Sequence, residues 1–172
     1  SSALLSDILD DFNIKSVISD YKLNLKNRKV LGRAKTLKLR KLNNQENYHG
    51  IYNALNSYGS ITSNDIIVVQ NEMMDNAYFG DLNANLALKK GAIAAIIGGA
   101  TRDNHSVKEL GFPVFSKSLN PIDVRGRATL ESINTPIVLE DIDIYPGDLI
   151  FADEEGIVII PKKFEQKVLD KA

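Results

Sequence analysis

The chain of 172 residues contains no cysteine. Disulfides, thiolate nucleophiles and cysteine-built zinc sites are therefore excluded. Histidine is scarce as well: only His49 and His105 occur, far apart in sequence. A histidine-rich metal centre or a Ser-His-Asp triad is not expected from such a set. An excess of either charge is also missing, because 21 Lys and Arg stand against 22 Asp and Glu, for a net charge of −1. Electrostatic binding to nucleic acid leaves a basic footprint that this balance lacks. The longest apolar run, near 91–100, is too short to span a bilayer. Residues 1–12 carry Asp7, Asp10 and Asp11 and no basic cluster, which is unlike a signal peptide. These absences lead to the expectation of a single domain over 1–172, cytoplasmic, with no nucleic-acid or membrane partner.

Hydrophobic content of 44% is enough for a real core in one domain of this length. The spacing predicts an amphipathic helix over 3–12, with Leu4, Leu5, Ile8 and Leu9 on its apolar face. Residues 30–42 read as a strand with partial alternation. Its interleaved Lys35, Lys38, Arg40 and Lys41 fit a solvated outer sheet face. An RNA-binding strand would carry stacking aromatics, and none accompany them. A helix is predicted over 48–55, followed by a loop at Ser57-Tyr58-Gly59-Ser60. The β-branched run Asp65-Ile66-Ile67-Val68-Val69-Gln70 reads as a strand. A loop over 71–78 follows, in which Glu72 and Asp75 read as solvated acids.

The next stretch looks built for chemistry. Phe79-Gly80 breaks the preceding pattern, Asp81 suits the first turn of a helix, and Leu82, Leu86 and Ala87 keep helical spacing. Gly91 ends that helix. Ile93-Ala94-Ala95-Ile96-Ile97 reads as a buried strand that Gly98-Gly99 closes, opening a loop that presents Arg102 and Asp103. His105 and Ser106 are expected in that loop and a helical turn over 107–110. Further strands are expected at 112–115, at 124–133 with a bend at Gly126, and from Pro136. Pro146-Gly147-Asp148 marks a turn, and 149–160 a β-hairpin. The acids Asp148, Asp153, Glu154 and Glu155 lack calcium-loop spacing and read as solvated. A terminal helix begins near Lys162. Many strands crowded toward the end suit a layered α/β domain rather than a doubly wound sheet.

Two readings of Arg102-Asp103 stay open on local pattern alone. A surface turn is the common one. The other is an anion-plus-metal site. Helix-start N–H groups bind carboxylates, Arg binds planar anions with two hydrogen bonds, and one Asp with water suffices for Mg²⁺.

Gly80-Asp81-Leu82, Gly91, Gly99-Ala100-Thr101-Arg102-Asp103, Phe112-Pro113-Val114-Phe115, Pro146-Gly147-Asp148-Leu149 and Ala152-Asp153-Glu154-Glu155-Gly156-Ile157-Val158 occur in the order and approximate spacing of one family. The chain resembles the RraA-like proteins, which include the divalent-metal-dependent 4-hydroxy-4-methyl-2-oxoglutarate aldolases. The resemblance runs from about Gly32-Arg33-Ala34 to Pro161. It implies an α/β fold with a mixed sheet in a layered β/β/α swivelling-type arrangement. It also implies assembly as a homotrimer or a hexamer of two trimers, with sites at subunit boundaries.

Residue by residue, the resemblance implies that Asp103 holds Mg²⁺ or Mn²⁺, directly or through water. Arg102 would contact the pyruvyl part of a 2-oxo acid. Backbone amides at Gly80, Asp81 and Leu82 would receive a substrate oxygen, and Asp81 would order water near the reaction centre. The implied activity is that of a lyase cleaving a 4-hydroxy-2-oxo acid, such as 4-hydroxy-4-methyl-2-oxoglutarate, to pyruvate. Oxaloacetate decarboxylation would follow as a side activity through the same enolate. Ala94, Gly98, Asn83 and Asn85 depart from the family pattern, and nothing after Ala172 supplies the carboxylate that some aldolases lend to a neighbouring site. One alternative is a non-catalytic RraA-like regulator that binds a ribonuclease. Such regulators often lack the acid after the arginine, which this chain retains. Another is an enzyme acting on a sugar acid or other hydroxy-oxo acid.

Overall fold

The computed structural model describes residues 1–172. The chain opens with α1 (Ser2–Asp11), where the Ser1 side chain caps by accepting from the Leu4 N–H. Two short strands, β1 (Val17–Ile18) and β2 (Lys22–Leu23), precede the long β3 (Val30–Lys41). Tyr48–Ser60 then forms 3₁₀ turns throughout, rather than the expected α-helix and loop. Gly50, Asn53, Asn56, Ser57 and Gly59 all disfavour an α-helix, and only Ile51, Ala54 and Tyr58 are buried. β4 (Asp65–Asn71), β5 (Ala77–Phe79), α2 (Asp81–Lys90) and β6 (Ala94–Thr101) follow. After α3 (Asn104–Glu109) come β7 (Val114–Leu119), β8 (Ala128–Ile133) and the hairpin β9 (Ile137–Leu139) and β10 (Ile142–Ile144). β11 (Leu149–Ala152), β12 (Ile157–Ile160) and α4 (Glu165–Lys171) complete the chain. No helix is long and apolar enough to cross a membrane.

Ten strands form one mixed sheet in the order β1-β12-β11-β3-β4-β6-β7-β2, with β8 added on β3 and β5 on β6. The β3-β4-β6-β7 centre is parallel, and its flanks are antiparallel. Period-two alternation sends successive apolar side chains to opposite faces. Ile67, Val69, Ala95 and Ile97 meet the helix side, while Ile66, Val68, Ala94 and Ile96 meet the side of the β9–β10 hairpin. Both faces are covered, which is why β4 and β6 read as continuous apolar runs. A third cluster packs α1 and α4 on Leu149, Val158 and Ile160. The layering is hairpin, sheet, helices: the mixed α/β architecture expected from the sequence.

β6 differs from expectation in a way that matters for the site. It does not end at Gly98-Gly99 but continues to Thr101. Its first half pairs with β4 and its last residues with β5, so the chain between those two strands crosses over at the glycines. A Cβ on Gly99 would stand 2.7 Å from the Met74 carbonyl oxygen, and one on Gly98 2.8 Å from that of Val69. The glycines thus give room for the crossing backbone, and Arg102 follows directly from a strand rather than from a long loop.

Other expectations shift by a few residues. β7 starts at Val114, and β8 at Ala128 after a turn over 124–127 in which Gly126 takes φ +78°. The buried face of α2 is Ala84 and Ala87, because small residues let the helix lie close to the sheet; Leu82 is 62% exposed. His105 and Ser106 belong to α3, and His105 faces outward to Glu109.

Two of the acids read as solvated are buried. Asp148 accepts from the N–H groups of Tyr145 and Lys162, closing the turn before β11. Asp153 accepts from Ser2 through both N–H (3.1 Å) and Oγ (2.6 Å), tying α1 to the β11–β12 turn. Burial opposes the Asp153 charge, but hydrogen bonds from Ser2 and from the Glu155 amide outweigh it and hold its carboxyl below the usual range. A depressed folded-state value adds stability that is present above the unfolded pKa and lost as pH falls through the folded one. Asp153→Ala is therefore expected to cost about 1.5–3 kcal/mol at neutral pH. The gap from wild type should close in acid, as urea melts at pH 7 and pH 3 would report. An equal loss at both pH values would contradict this role.

Candidate functional site

The start of α2 and the end of β6 meet at one cleft. Gly80 caps α2 with extended backbone, and Gly91 closes it at φ +97°. Arg102 is fixed by its N–H to the Phe79 carbonyl (3.0 Å), one strand away. Asp103 takes φ +56° as the residue before α3, a conformation that Asp tolerates better than most side chains. All five residues singled out from the sequence, Gly80, Asp81, Leu82, Arg102 and Asp103, line one cavity of about 170 Å³. A larger concavity, about 830 Å³, lies elsewhere along Lys38, Gln70 and Lys117. Its Lys38 and Lys117 are already paired with Glu131 and Glu140, so the smaller cleft is the better chemical site.

Within the cleft, Arg102 Nη2 lies 3.5 Å from Asp123 Oδ2, and Nη1 donates to the Pro121 carbonyl (3.4 Å). Its Nε is 4.0 Å from Asp103 Oδ2. The side chains of Arg102 and Asp103 are 40% and 38% exposed, open to a ligand. The helix-start amides are not free in this state. Gly80 N–H donates to Asn83 Oδ1 (3.3 Å), Asp81 N–H to Asp103 Oδ2 (3.1 Å), and Leu82 N–H to Asp81 Oδ1 (2.7 Å). A substrate oxygen would take the place of a side-chain acceptor rather than fill a vacant one.

Several lining residues escaped sequence reasoning. Asp123, just before the strand expected over 124–133, was not singled out from the sequence, yet its carboxylate faces Arg102. Asn83, seen in sequence only as a departure from the family pattern, links the cap to a tyrosine pair: its Nδ2 donates to Tyr58 Oη (3.0 Å). Tyr58 is pushed up to about 12 by burial, and burial also holds Tyr78 well above its ordinary value. Both hydroxyls stay protonated and polar at neutral pH beneath the cleft. Glu72 and Asp75 stay outside it; Glu72 accepts instead from the Lys41 N–H.

Comparison with known proteins places the chain in a family. The family model described as RraA-like: Aldolase/RraA matches residues 2–159. The chain belongs to the RraA-like family. It is 28% identical to protein DlpA of Legionella pneumophila over 172 residues, covering 99% of this chain but only 28% of that one. It is 32% identical over 170 residues to a Halalkalibacterium halodurans protein provisionally named a 4-hydroxy-4-methyl-2-oxoglutarate aldolase, covering 98% and 76% of the two. In fold it matches Streptomyces coelicolor RraAS2, described as an unusual member of the RNase ES inhibitor RraA family. That likeness has a TM-score of 0.87 at 24% identity, over 99% of this chain and 84% of that one. An aldolase-named relative and, in fold, a structure described as an inhibitor-family member thus both resemble this chain.

Proposed function

We propose that this RraA-like protein is a divalent-metal-dependent lyase that releases pyruvate from a 4-hydroxy-2-oxo acid. One observation carries the reading: the Asp103 carboxylate stands beside Arg102 at the start of α2, in the same small cleft. Oδ1 of Asp103 has no protein partner, so it is available to a cation. No three His, Asp, Glu or Cys side chains converge to cage a dehydrated metal. That donor set fits Mg²⁺ or Mn²⁺ kept largely in its water shell, since Mg²⁺ is commonly held through only one or two carboxylates.

When bound, such an ion acts as a Lewis acid on the 2-oxo group. The remaining steps fall to the chain. Arg102 grips the substrate carboxylate with two hydrogen bonds and holds the 2-oxo carbon in place. As the C3–C4 bond breaks, its electron pair forms the C2–C3 double bond of the enolate and the keto π pair moves onto the oxygen, while the 4-hydroxyl passes its proton to the water held by Asp81 and leaves a carbonyl. Arg102 steadies the enolate charge. Asp81 holds the water that returns a proton to C3, completing pyruvate. Oxaloacetate loses carbon dioxide through the same enolate. Pyruvate release from a panel of 4-hydroxy-2-oxo acids, with and without Mg²⁺, tests the reading; no release from any of them would contradict it.

The geometry around Gly80 adds a sharper expectation. A Cβ there would overlap Asp103 Oδ2 and stand 3.3 Å from Arg102 Cγ. Gly80 has ordinary extended backbone, so Ala adds no strain of its own. Gly80→Ala is expected to leave the melting temperature within a few degrees while cutting turnover by about 10²-fold, the scale of a 1 Å misplacement. Unchanged turnover would mean that Asp103 and Arg102 need not hold these positions.

The proposed assembly is a homotrimer or hexamer whose neighbouring subunit closes the cleft. Tyr52, Leu55 and Leu82 around it are 46%, 39% and 62% exposed, and an enolate needs a wall against water. Light scattering coupled to size exclusion reads this directly; a fully active monomer would contradict it.

A further inference from the structure

The three amides at the start of α2 are held by unequal partners. Asp81 N–H and Leu82 N–H donate to the carboxylates of Asp103 (3.1 Å) and Asp81 (2.7 Å). Gly80 N–H donates to the neutral amide oxygen of Asn83, and at 3.3 Å that contact is the longest of the three. Hydrogen bonds to charged acceptors are roughly twice as strong as neutral ones, so the Gly80 amide is the one most easily given up to an incoming oxygen. Gly80 is itself buried in the cavity wall, and a buried N–H needs an acceptor at all times. Asn83 is that acceptor until another oxygen replaces it. Its orientation is set from both ends. The Gly80 N–H requires the oxygen, which turns Nδ2 toward Tyr58 Oη at 3.0 Å. Tyr58 is 4% exposed and belongs to the Tyr48–Ser60 segment, whose Ile51, Tyr52, Ala54 and Leu55 form one wall of the cavity. That wall is thus tied, through one side chain, to the amide that a substrate oxygen would use.

We propose that Asn83 is a latch on this cleft: it occupies the Gly80 amide in place of the substrate oxygen and is held there by Tyr58, so the wall sets how firmly the amide is guarded. This rests on the lyase reading above for the identity of the incoming oxygen, which belongs to a 2-oxo acid. A capping role alone would make Asn83 a support, and its loss would weaken binding along with the helix start. A latch competes with the ligand, so its loss has the opposite sign. Asn83→Ala frees the Gly80 N–H and leaves only water to be displaced. Asn83→Asp keeps the length, adds a charge that grips the N–H more firmly and suits the first turn of a helix, and repels an anion. The two substitutions should therefore move binding in opposite directions.

Calorimetric titration with pyruvate, Mg²⁺ present throughout, reads that sign without requiring turnover. Asn83→Ala should bind pyruvate about five- to tenfold more tightly than wild type, the scale of one neutral hydrogen bond released. Asn83→Asp should bind it about tenfold more weakly while melting no lower than wild type. Tyr58→Phe removes the acceptor of Asn83 Nδ2 and should tighten binding about twofold. In the Asn83→Ala background it should change nothing further, because Tyr58 acts only through Asn83. Ala is a better helix former than Asn, so the first variant should fold; if it does not, Asn83→Asp and Tyr58→Phe carry the same opposite signs. Weaker or unchanged binding by a folded Asn83→Ala, undiminished binding by Asn83→Asp, or a Tyr58→Phe effect that persists without Asn83 would overturn the latch and leave the lyase reading standing. No pyruvate binding by any variant would overturn both. The expected order, Asn83→Ala tightest and Asn83→Asp weakest, in a protein that releases no pyruvate from 4-hydroxy-2-oxo acids would uphold the latch and overturn the lyase reading.

Discussion

Asp103→Asn is expected to abolish metal-dependent turnover while leaving the fold intact. The substitution removes the charge that draws a divalent cation but keeps an oxygen that can accept from the Asp81 N–H, as Oδ2 does now at 3.1 Å. Asn also tolerates the left-handed backbone at this position, where φ is +56°. Asp103→Ala is a harsher change, since it strands the Asp81 amide and puts a poorly suited residue at positive φ, at about 1–2 kcal/mol. The pair of variants therefore separates chemistry from stability. Asn should match wild type in melting temperature and show no metal-stimulated activity; Ala should lose both. Full activity of Asp103→Asn, or of wild type in excess chelator, would remove the metal from the proposal.

Arg102 is expected to show the second large effect, and chiefly in kcat. Its guanidinium meets the substrate carboxylate in the ground state, but the enolate charge exists only as the bond breaks. Loss of such a contact costs roughly 3–4 kcal/mol, or about 10²–10³ in rate. Arg102→Lys should be nearly as poor as Arg102→Ala, because one ammonium cannot reproduce a two-pronged contact or keep both the Pro121 and Asp123 partners. A variant that changed KM alone would point to uniform binding and deny Arg102 its role in the transition state.

Much of this site was legible in the sequence because its parts are local. Gly80 and Gly91 bracket α2, and the apolar run before Arg102 read as a buried strand; the structure brings the helix start and the charged pair together. The resemblance supplied the order of the pieces. What escaped was set by distant contacts. Asp123 and Arg125 reach the cleft because the chain at Ile122 and Val124 hydrogen-bonds with Ala77, a pairing across more than forty residues that no local pattern announces. The 3₁₀ course of Tyr48–Ser60 likewise depends on where Ile51, Ala54 and Tyr58 find apolar cover. Asp148 and Asp153 read as solvated because acids in a turn usually are. Their burial follows from backbone N–H groups of Tyr145, Lys162 and Ser2 that need acceptors.

Enolate chemistry at the Arg102–Asp103 cleft can be tested without knowing the natural substrate. Pyruvate itself should be enolised by the protein, and in D₂O its methyl protons should exchange for deuterium. The expected result, followed by proton NMR, is loss of the methyl signal with Mg²⁺ present, no loss in excess EDTA, and none with Asp103→Asn. Exchange no faster than in protein-free buffer with Mg²⁺, or exchange that persists in EDTA, would contradict metal-dependent enolate formation at this site.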